Sequence, residues 1–156
     1  MNNAIRINEQ LTTTGQIIPT QLEQAIEEGF KSVLNLRSPD ELGFRKDEQQ
    51  VAEALGLHYV NVPLKLEGFN EELITKILTT LENLPKPAII HCAGGMRSTG
   101  IAILSIAIKE GLTPEQTLAK ARGLGFTFLE HSGISPRLKQ QFVDYVNKHG
   151  KVAVSV

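Results

Sequence analysis

The sequence predicts an α/β fold in which helices flank a central, mainly parallel sheet. Two observations support this prediction. Short apolar runs alternate with segments whose apolar residues recur with the helical period of about 3.6 residues. Glycine or proline closes each of the first three helical segments, and another apolar run follows soon after. Strands that alternate with helices in this way are joined by right-handed crossovers, which makes them parallel neighbours in one sheet.

The N-terminal segment predicts one or two short strands at a sheet edge. Ile5 and Ile7 alternate with polar neighbours, and a threonine-rich run follows over residues 11–15. The first helix comes next, because Thr20 and Glu23 have the spacing of a capping box and precede a helical apolar stripe. We therefore expect an edge of the sheet to be followed directly by a helix that packs on its face.

Two more strands and two more helices follow in the same rhythm. Strands are predicted over residues 32–36 and 57–62, with a helix over residues 47–55 between them. Asn70 can cap a third helix, which ends before Pro85. The apolar stripe of this helix consists of Leu73, Ile74, Ile77, Leu78 and Leu81.

A buried strand over residues 88–90 leads into a glycine-rich loop, and the prediction after that loop is helical. The helix over residues 98–110 is apolar on nearly all sides, which indicates that it lies inside the domain. Thr113 opens another helix with a capping box, and Ser135 opens a last one towards the C-terminus. Only residues 152–156 show weak strand-like alternation.

Length and composition restrict the class of protein. The 156 residues suggest a single domain over residues 1–156, and the formal net charge of −1 does not favour a nucleic-acid-binding surface. The single cysteine cannot form an internal disulfide, which fits a reducing cytoplasm. No apolar run approaches the roughly 20 residues of a membrane span. We expect a cytoplasmic protein that binds neither nucleic acid nor membrane, and the oligomeric state is left open.

The chemistry is concentrated in the stretch Ile-Ile-His-Cys-Ala-Gly-Gly-Met-Arg-Ser-Thr-Gly, residues 89–100. Its glycines allow successive backbone N–H groups to point inward, and the following helix adds free N–H groups and a positive dipole end. Arg97 can bind two oxygens of an anion at once, and the same positive field favours the thiolate form of Cys92. A lone cysteine or a Gly-Gly pair is unremarkable in itself, but the combination predicts an oxyanion pocket with a nucleophile in its floor.

This loop resembles the signature loop of the cysteine-dependent protein phosphatases of the tyrosine and dual-specificity types, through His91-Cys92, Gly95 and Arg97-Ser98. The resemblance implies that Cys92 is the nucleophile, that Ser98 helps the thiolate to leave, and that His91 braces the loop. It also implies that phosphate is bound by Arg97 and by the loop amides of Ala93, Gly94, Gly95 and Met96.

The loop departs from that family in one respect, because the family has five residues between cysteine and arginine and this chain has four. The shorter spacing resembles rhodanese-type sulfurtransferases, which would carry a persulfide on Cys92. Phosphatases of this type place helices after the loop, whereas rhodanese domains add a strand there, so the predicted helices favour the phosphatase fold. A sulfurtransferase and a non-catalytic binder of oxyanions stay open as alternatives.

The resemblance extends over most of the chain, from about Ile5 to Arg122. Gly15-Gln16 and residues 29–37, 56–63 and 91–98 are together similar to the bacterial phosphatase-like domain of the beta-lactamase-hydrolase-like (Blh) family. Residues 134–145 resemble the last helix of dual-specificity phosphatases. Some Blh relatives are fused to metal-dependent sulfur dioxygenases, which keeps sulfur transfer open as an alternative.

The general acid is the missing part of the predicted phosphatase mechanism. Related phosphatases use an aspartate upstream of the cysteine, and no aspartate lies between the third strand-like run and His91. Glu67 and Asp40 are the candidates, and a solvated loop carboxylate is the alternative reading of each. Sulfur transfer would need no such acid.

Polar residues outside the loop are candidates for supporting roles. Arg37 follows a predicted strand, so it is a candidate for a second anion contact, or it pairs with Asp40 or Glu41. One cysteine and scattered histidines lack the ligand spacing of a zinc site. We expect no metal and no cofactor, and the predicted partner is a phosphorylated or other oxyanionic substrate.

Overall fold

The structure is a computed structural model that describes residue 1 and residues 4–65, 70–126 and 136–149. Its secondary structure follows the predicted alternation of strands and helices. In chain order the elements are β1 (Ile5–Arg6), β2 (Leu11–Thr14), α1 (Pro19–Glu27), β3 (Ser32–Asn35), α2 (Glu48–Ala54), β4 (His58–Asn61), α3 (Glu71–Asn83), β5 (Ala88–His91), α4 (Met96–Glu110), α5 (Pro114–Gly123) and α6 (Pro136–His149).

The five strands form one sheet in the order β1-β2-β5-β3-β4. The β1 strand is antiparallel to β2, and the other neighbours are parallel. The predicted α/β fold with a mainly parallel sheet is thereby confirmed. The central strand is β5, whose last residue, His91, is in register with Thr14 of β2 and Asn35 of β3. Ligand sites in such sheets lie beyond the carboxyl ends of the strands, which is where the chain continues into Cys92.

Apolar side chains cover both faces of the sheet. One cluster joins the sheet to α3, α4 and α6, and it includes Leu34, Ile90, Ile77, Ile103 and Phe142. A smaller cluster joins the other face to α1 and α2, and it includes Leu22, Val33, Ala52 and Tyr59. The α4 helix is buried along most of its length, as its nearly uniform apolar sequence predicts. The helix that follows the cysteine loop is therefore held rigidly against the sheet.

Two predicted helix caps are confirmed. The side chain of Asn70 accepts a hydrogen bond from Leu73 N at 2.9 Å. Thr113 and Gln116 form a reciprocal capping box, in which Thr113 Oγ1 accepts from Gln116 N at 3.1 Å and Gln116 Oε1 accepts from Thr113 N at 2.9 Å. These bonds satisfy N–H groups that the first turn of a helix leaves without partners.

The predicted start of α1 is two residues too late. The helix begins at Pro19, and Ile18 is its N-cap. Proline suits the first helical position because it lacks an N–H group there and its φ is already helical. The N-cap amide of Ile18 donates to Gln21 Oε1 at 2.9 Å, so Gln21 takes the part predicted for Glu23, and Thr20 is not the cap.

Some predictions fall outside the described residues, namely the cap at Ser135 and the weak strand over residues 152–156. Among the residues that the structure does describe, no helix has the length and apolar character needed to cross a membrane.

Candidate active site

The cysteine loop begins at the centre of the sheet, where its neighbours hold it on both sides. Leu36 N, just beyond β3, donates to His91 O at 2.9 Å. Gln16 N, just beyond β2, donates to Ala93 O at 3.0 Å. Cys92 lies between these two anchors and is 1 % exposed. The sheet thus places the cysteine in the floor of the loop, as predicted.

Gly95 turns the loop directly into a helix. Its φ is +101°, a left-handed conformation that favours glycine, and α4 begins at the next residue, Met96. The helix therefore starts two residues earlier than predicted from Ser98. Because of this sharp turn, Arg97 and Ser98 lie in the first turn of α4. The free N–H groups and the positive dipole end of the helix are therefore located at the cysteine loop.

The sulfur of Cys92 lies at this helix N-terminus. Gly95 N donates to Cys92 Sγ at 3.1 Å, and Ser98 Oγ lies 3.6 Å from the same sulfur. Ser98 Oγ is also 3.0 Å from Gly95 O and 3.1 Å from Thr14 O. A hydroxyl has a single hydrogen to donate, so the two carbonyl oxygens compete for it, while the thiol of Cys92 donates to Ser98 Oγ. The structure brings Cys92 and Ser98 together at the start of α4.

The guanidinium of Arg97 is fixed by a carboxylate that the sequence analysis did not place in the site. Arg97 Nη1 donates to Glu41 Oε2 at 2.8 Å and to Leu64 O at 3.0 Å, and Nη2 donates to Glu41 Oε1 at 2.9 Å. These bonds occupy one end of the guanidinium, and Cys92 is a second side-chain partner of Arg97. Glu41 follows Arg37 by four residues but is far from Arg97 in sequence, so no local sequence pattern indicates that Glu41 and Arg97 pair.

The ion pair changes the acid–base properties of both partners. Arg97 is the main cause that lowers the pKa of Glu41 to about 2, with Ser38 N and Arg37 assisting against partial burial. Glu41 in turn raises the pKa of Arg97, and the nearby sulfur of Cys92 adds to this effect. Arg97 therefore stays charged beside the sulfur, and Glu41 is a carboxylate at neutral pH.

Arg37 is buried beneath the loop that follows β3. Its Nη2 donates to Leu42 O at 2.6 Å, and its Nη1 donates to Gln16 Oε1 at 2.8 Å and to Gly43 O at 3.1 Å. Its Nε lies 3.2 Å from Glu41 Oε1, so the predicted alternative of a pair with Glu41 is the one observed. A direct contact between Arg37 and an anion stays a prediction, and it would require the guanidinium to leave these partners.

His91 is fully buried and pairs with a second carboxylate that sequence reasoning missed. His91 Nε2 lies 2.5 Å from Glu48 Oε2, and His91 Nδ1 lies 3.3 Å from Cys92 O. Gln16 Nε2 donates to Glu48 Oε1 at 2.7 Å. Glu48 is only 3 % exposed although it opens the short helix α2, where a glutamate is ordinarily solvated. No local pattern marks such a residue, because its partners lie far away in sequence.

Of the two candidate general acids, the structure describes Asp40 but not Glu67. Asp40 bonds to Ser38 Oγ and pairs with Lys65 Nζ at 2.8 Å, and Lys65 is the main cause that lowers its pKa. An exposed carboxylate of this kind is ionised at neutral pH, which disfavours Asp40 as a proton donor. Glu67 lies outside the described residues, so its role stays a prediction.

The described residues contain no group of three or more histidine, cysteine, aspartate or glutamate side chains that could hold a metal ion. The chemistry of the candidate site is that of a buried thiol, a fixed guanidinium and a helix N-terminus. This combination can bind an oxyanion and attack it.

The fold and the loop define the class of the protein. The structure is similar to the DUF442 protein of Shewanella putrefaciens CN-32, with a TM-score of 0.82 at 18% identity, over 96% of this chain and 95% of the other. It is also similar to the core catalytic domain of the PP-IP phosphatase SIW14 from S. cerevisiae, with a TM-score of 0.72 at 18% identity, over 99% and 91%. The chain has the cysteine-phosphatase fold.

The family follows from the sequence comparison. Residues 4–109 match the family described as "Beta-lactamase hydrolase-like protein, phosphatase-like domain", and the chain belongs to this family. It is 30% identical over 109 residues to the Beta-lactamase hydrolase-like protein of Agrobacterium fabrum (strain C58), which covers 67% of this chain and 25% of that protein. The chain spans only a quarter to about a third of the curated relatives it matches. It thus contains a phosphatase-like domain.

Proposed function

We propose that this domain is a cysteine-dependent phosphatase that hydrolyses phosphomonoesters through a thiophosphate intermediate on Cys92. The observation that carries the proposal is the position of Cys92 Sγ, 3.1 Å from Gly95 N at the start of α4, beside the paired guanidinium of Arg97. A thiolate at a helix N-terminus next to a fixed cation is an activated nucleophile that faces an oxyanion pocket.

The reaction proceeds in two displacements at phosphorus. The guanidinium of Arg97 and the loop amides bind the phosphoryl oxygens, and Cys92 Sγ attacks in line with the ester oxygen. The S–P bond forms as the P–O bond breaks, and the leaving oxygen takes a proton from a general acid or from water. Water then attacks the phosphorus, the S–P bond breaks, and inorganic phosphate leaves.

Ser98 assists the second displacement. Its hydroxyl lies 3.6 Å from Cys92 Sγ and can turn from the carbonyls of Gly95 and Thr14 towards the sulfur as negative charge returns to it. His91 braces the loop from below through Cys92 O and does not face the substrate. These assignments follow the roles that the resemblance implies.

The substrate is an anionic phosphoester, in keeping with the basic floor of the site, and phosphotyrosine or a phosphoprotein is the candidate that the family resemblance suggests. The sulfurtransferase alternative finds no support, because the relatives and structural neighbours are phosphatase-like. In the described stretches after Cys92 the elements are α4, α5 and α6, without the extra strand of a rhodanese domain. A single cysteine that must stay a free thiol suits the cytoplasm.

The test is turnover of p-nitrophenyl phosphate by the reduced protein, with Cys92→Ser as the control and thiosulfate as the competing substrate. We expect cysteine-dependent release of phosphate, and rapid acid quenching should trap a phosphoryl group on Cys92 that mass spectrometry detects. Release that persists in Cys92→Ser, or a persulfide on Cys92 without phosphate release, would overturn the proposal.

A further inference from the structure

A continuous chain of polar contacts runs beneath the cysteine loop and connects its two ends. It passes through His91, Glu48, Gln16, Arg37, Glu41 and Arg97. The donor–acceptor distance is 2.5 Å between His91 and Glu48 and 2.7 Å between Glu48 and Gln16. It is 2.8 Å between Gln16 and Arg37 and 3.2 Å between Arg37 and Glu41. Glu41 then pairs with Arg97. The residues come from separate elements, so the chain is a product of the fold.

The direction of the hydrogen bonds of Gln16 follows from Arg37. A guanidinium can only donate, so the atom of Gln16 that faces Arg37 must be its amide oxygen. The amide nitrogen of Gln16 then faces Glu48 and donates to Oε1, which must be an acceptor. Glu48 Oε2 and His91 Nε2 lie 2.5 Å apart, so the two groups share one proton, which sits on either the carboxyl or the ring.

The same reasoning counts the protons on His91. Its Nε2 faces Glu48 Oε2 across the shared proton, and its Nδ1 faces the carbonyl oxygen of Cys92, which can only accept. Nδ1 therefore carries a proton, and the ring is an imidazolium when the shared proton sits on Nε2. This cation is buried next to the nucleophile and needs the charge of Glu48 to persist there, because an unpaired buried charge is strongly unfavourable.

We propose that Glu48 is a positioning residue for the nucleophile, since it holds His91 as an imidazolium directly beneath Cys92. The cation lies one residue from the sulfur and favours the thiolate, while its Nδ1–H fixes the carbonyl of Cys92 and hence the start of the loop. Through Gln16 and Arg37, the same carboxylate also supports the pair of Glu41 with Arg97. The inference rests on the proposed role of Cys92 as a nucleophile.

Other titratable and charged groups around this pair are few. Tyr59, on β4, lies close to Glu48, and burial is the main cause that raises the pKa of its hydroxyl, so it stays neutral. Arg37 and Cys92 are also close: Arg37 donates to Gln16, which contacts Glu48, and the carbonyl of Cys92 contacts His91.

The first test uses the unaltered protein. Nitrogen-15 NMR of histidine-labelled protein at pH 7 counts the protons on each ring nitrogen of His91, with His91→Gln used to assign the signals. Two protonated nitrogens would support the proposal. A ring with one bare nitrogen would overturn it.

The second test measures the reactivity of Cys92 with iodoacetamide at pH 6 in Glu48→Gln, which keeps the shape of Glu48 and removes its charge. We expect alkylation to slow at least tenfold while the melting temperature stays above the assay temperature. The matched control is Glu53→Gln, an exposed glutamate on the same helix, which should leave the rate unchanged. A folded Glu48→Gln variant that reacts within twofold of the parent would overturn the proposal.

Neither measurement requires turnover. If the parent releases no phosphate but Cys92 is alkylated more slowly in Glu48→Gln, the proposed phosphatase activity is refuted and the role of Glu48 is supported. Conversely, phosphate release with an unchanged alkylation rate would refute the role of Glu48 alone.

Discussion

The carboxylate of Glu41 holds the guanidinium of Arg97 by two hydrogen bonds, at 2.8 Å and 2.9 Å. Such a pair holds one end of the guanidinium, and the arginine also lies beside the sulfur of Cys92. An arginine that is ordered before the substrate arrives loses less conformational entropy on binding. Glu41 is therefore better regarded as a support for Arg97 than as a competitor of the substrate.

Glu41→Gln should lower kcat/KM for p-nitrophenyl phosphate by about tenfold to a hundredfold, since a hydrogen bond to a charged group contributes about 1.5–3 kcal/mol. The neutral amide cannot accept from both nitrogens of Arg97, so the guanidinium loses its fixed orientation. Steady-state kinetics measure the effect, with the exposed Glu53→Gln as the control. An increase in kcat/KM would instead mean that Glu41 blocks the anion site.

The same pair makes stability depend on pH. The folded-state pKa of Glu41 is lowered from 4.5 to about 2, so its contribution to stability is complete above 4.5 and is lost as the pH falls towards 2. Urea unfolding of the parent and Glu41→Gln should show the parent more stable at pH 7, with a difference that shrinks between pH 4.5 and 2. A difference that stays constant over this range would contradict the ion pair.

Arg97→Lys separates charge from geometry at the anion site. A lysine keeps the positive charge but has one ammonium group, which cannot pair with Glu41 and offer a two-nitrogen edge to the phosphoryl group. We expect kcat/KM to fall by more than tenfold, with most of the remaining activity lost in Arg97→Ala. The control is Arg6→Lys, at an exposed position on β1. Full activity of Arg97→Lys would show that charge alone suffices.

The sheet, the helices and the cysteine loop were predictable because they depend on local signals. The apolar runs, the cap of Asn70 and the capping box of Thr113 are each encoded within a few neighbouring residues. The supporting carboxylates were not predictable, because Glu41 meets Arg97 across 56 positions and Glu48 meets His91 across 43. The early start of α4 depends on the left-handed conformation of Gly95. A glycine allows this conformation but does not require it, so the sequence alone could not predict it.

The identity of the general acid can be decided with substrates whose leaving groups differ. We expect Asp40→Asn to retain activity within about twofold on aryl and alkyl phosphates, because Lys65 and Ser38 already hold Asp40 as an exposed carboxylate. If Glu67 is the acid, Glu67→Gln should slow alkyl phosphate hydrolysis by about 10²- to 10⁴-fold and affect p-nitrophenyl phosphate far less, since nitrophenolate leaves without a proton. Asp40→Asn serves as the matched loop-carboxylate control. A large loss on alkyl phosphate in Asp40→Asn would assign the acid to Asp40, against the ion pair with Lys65.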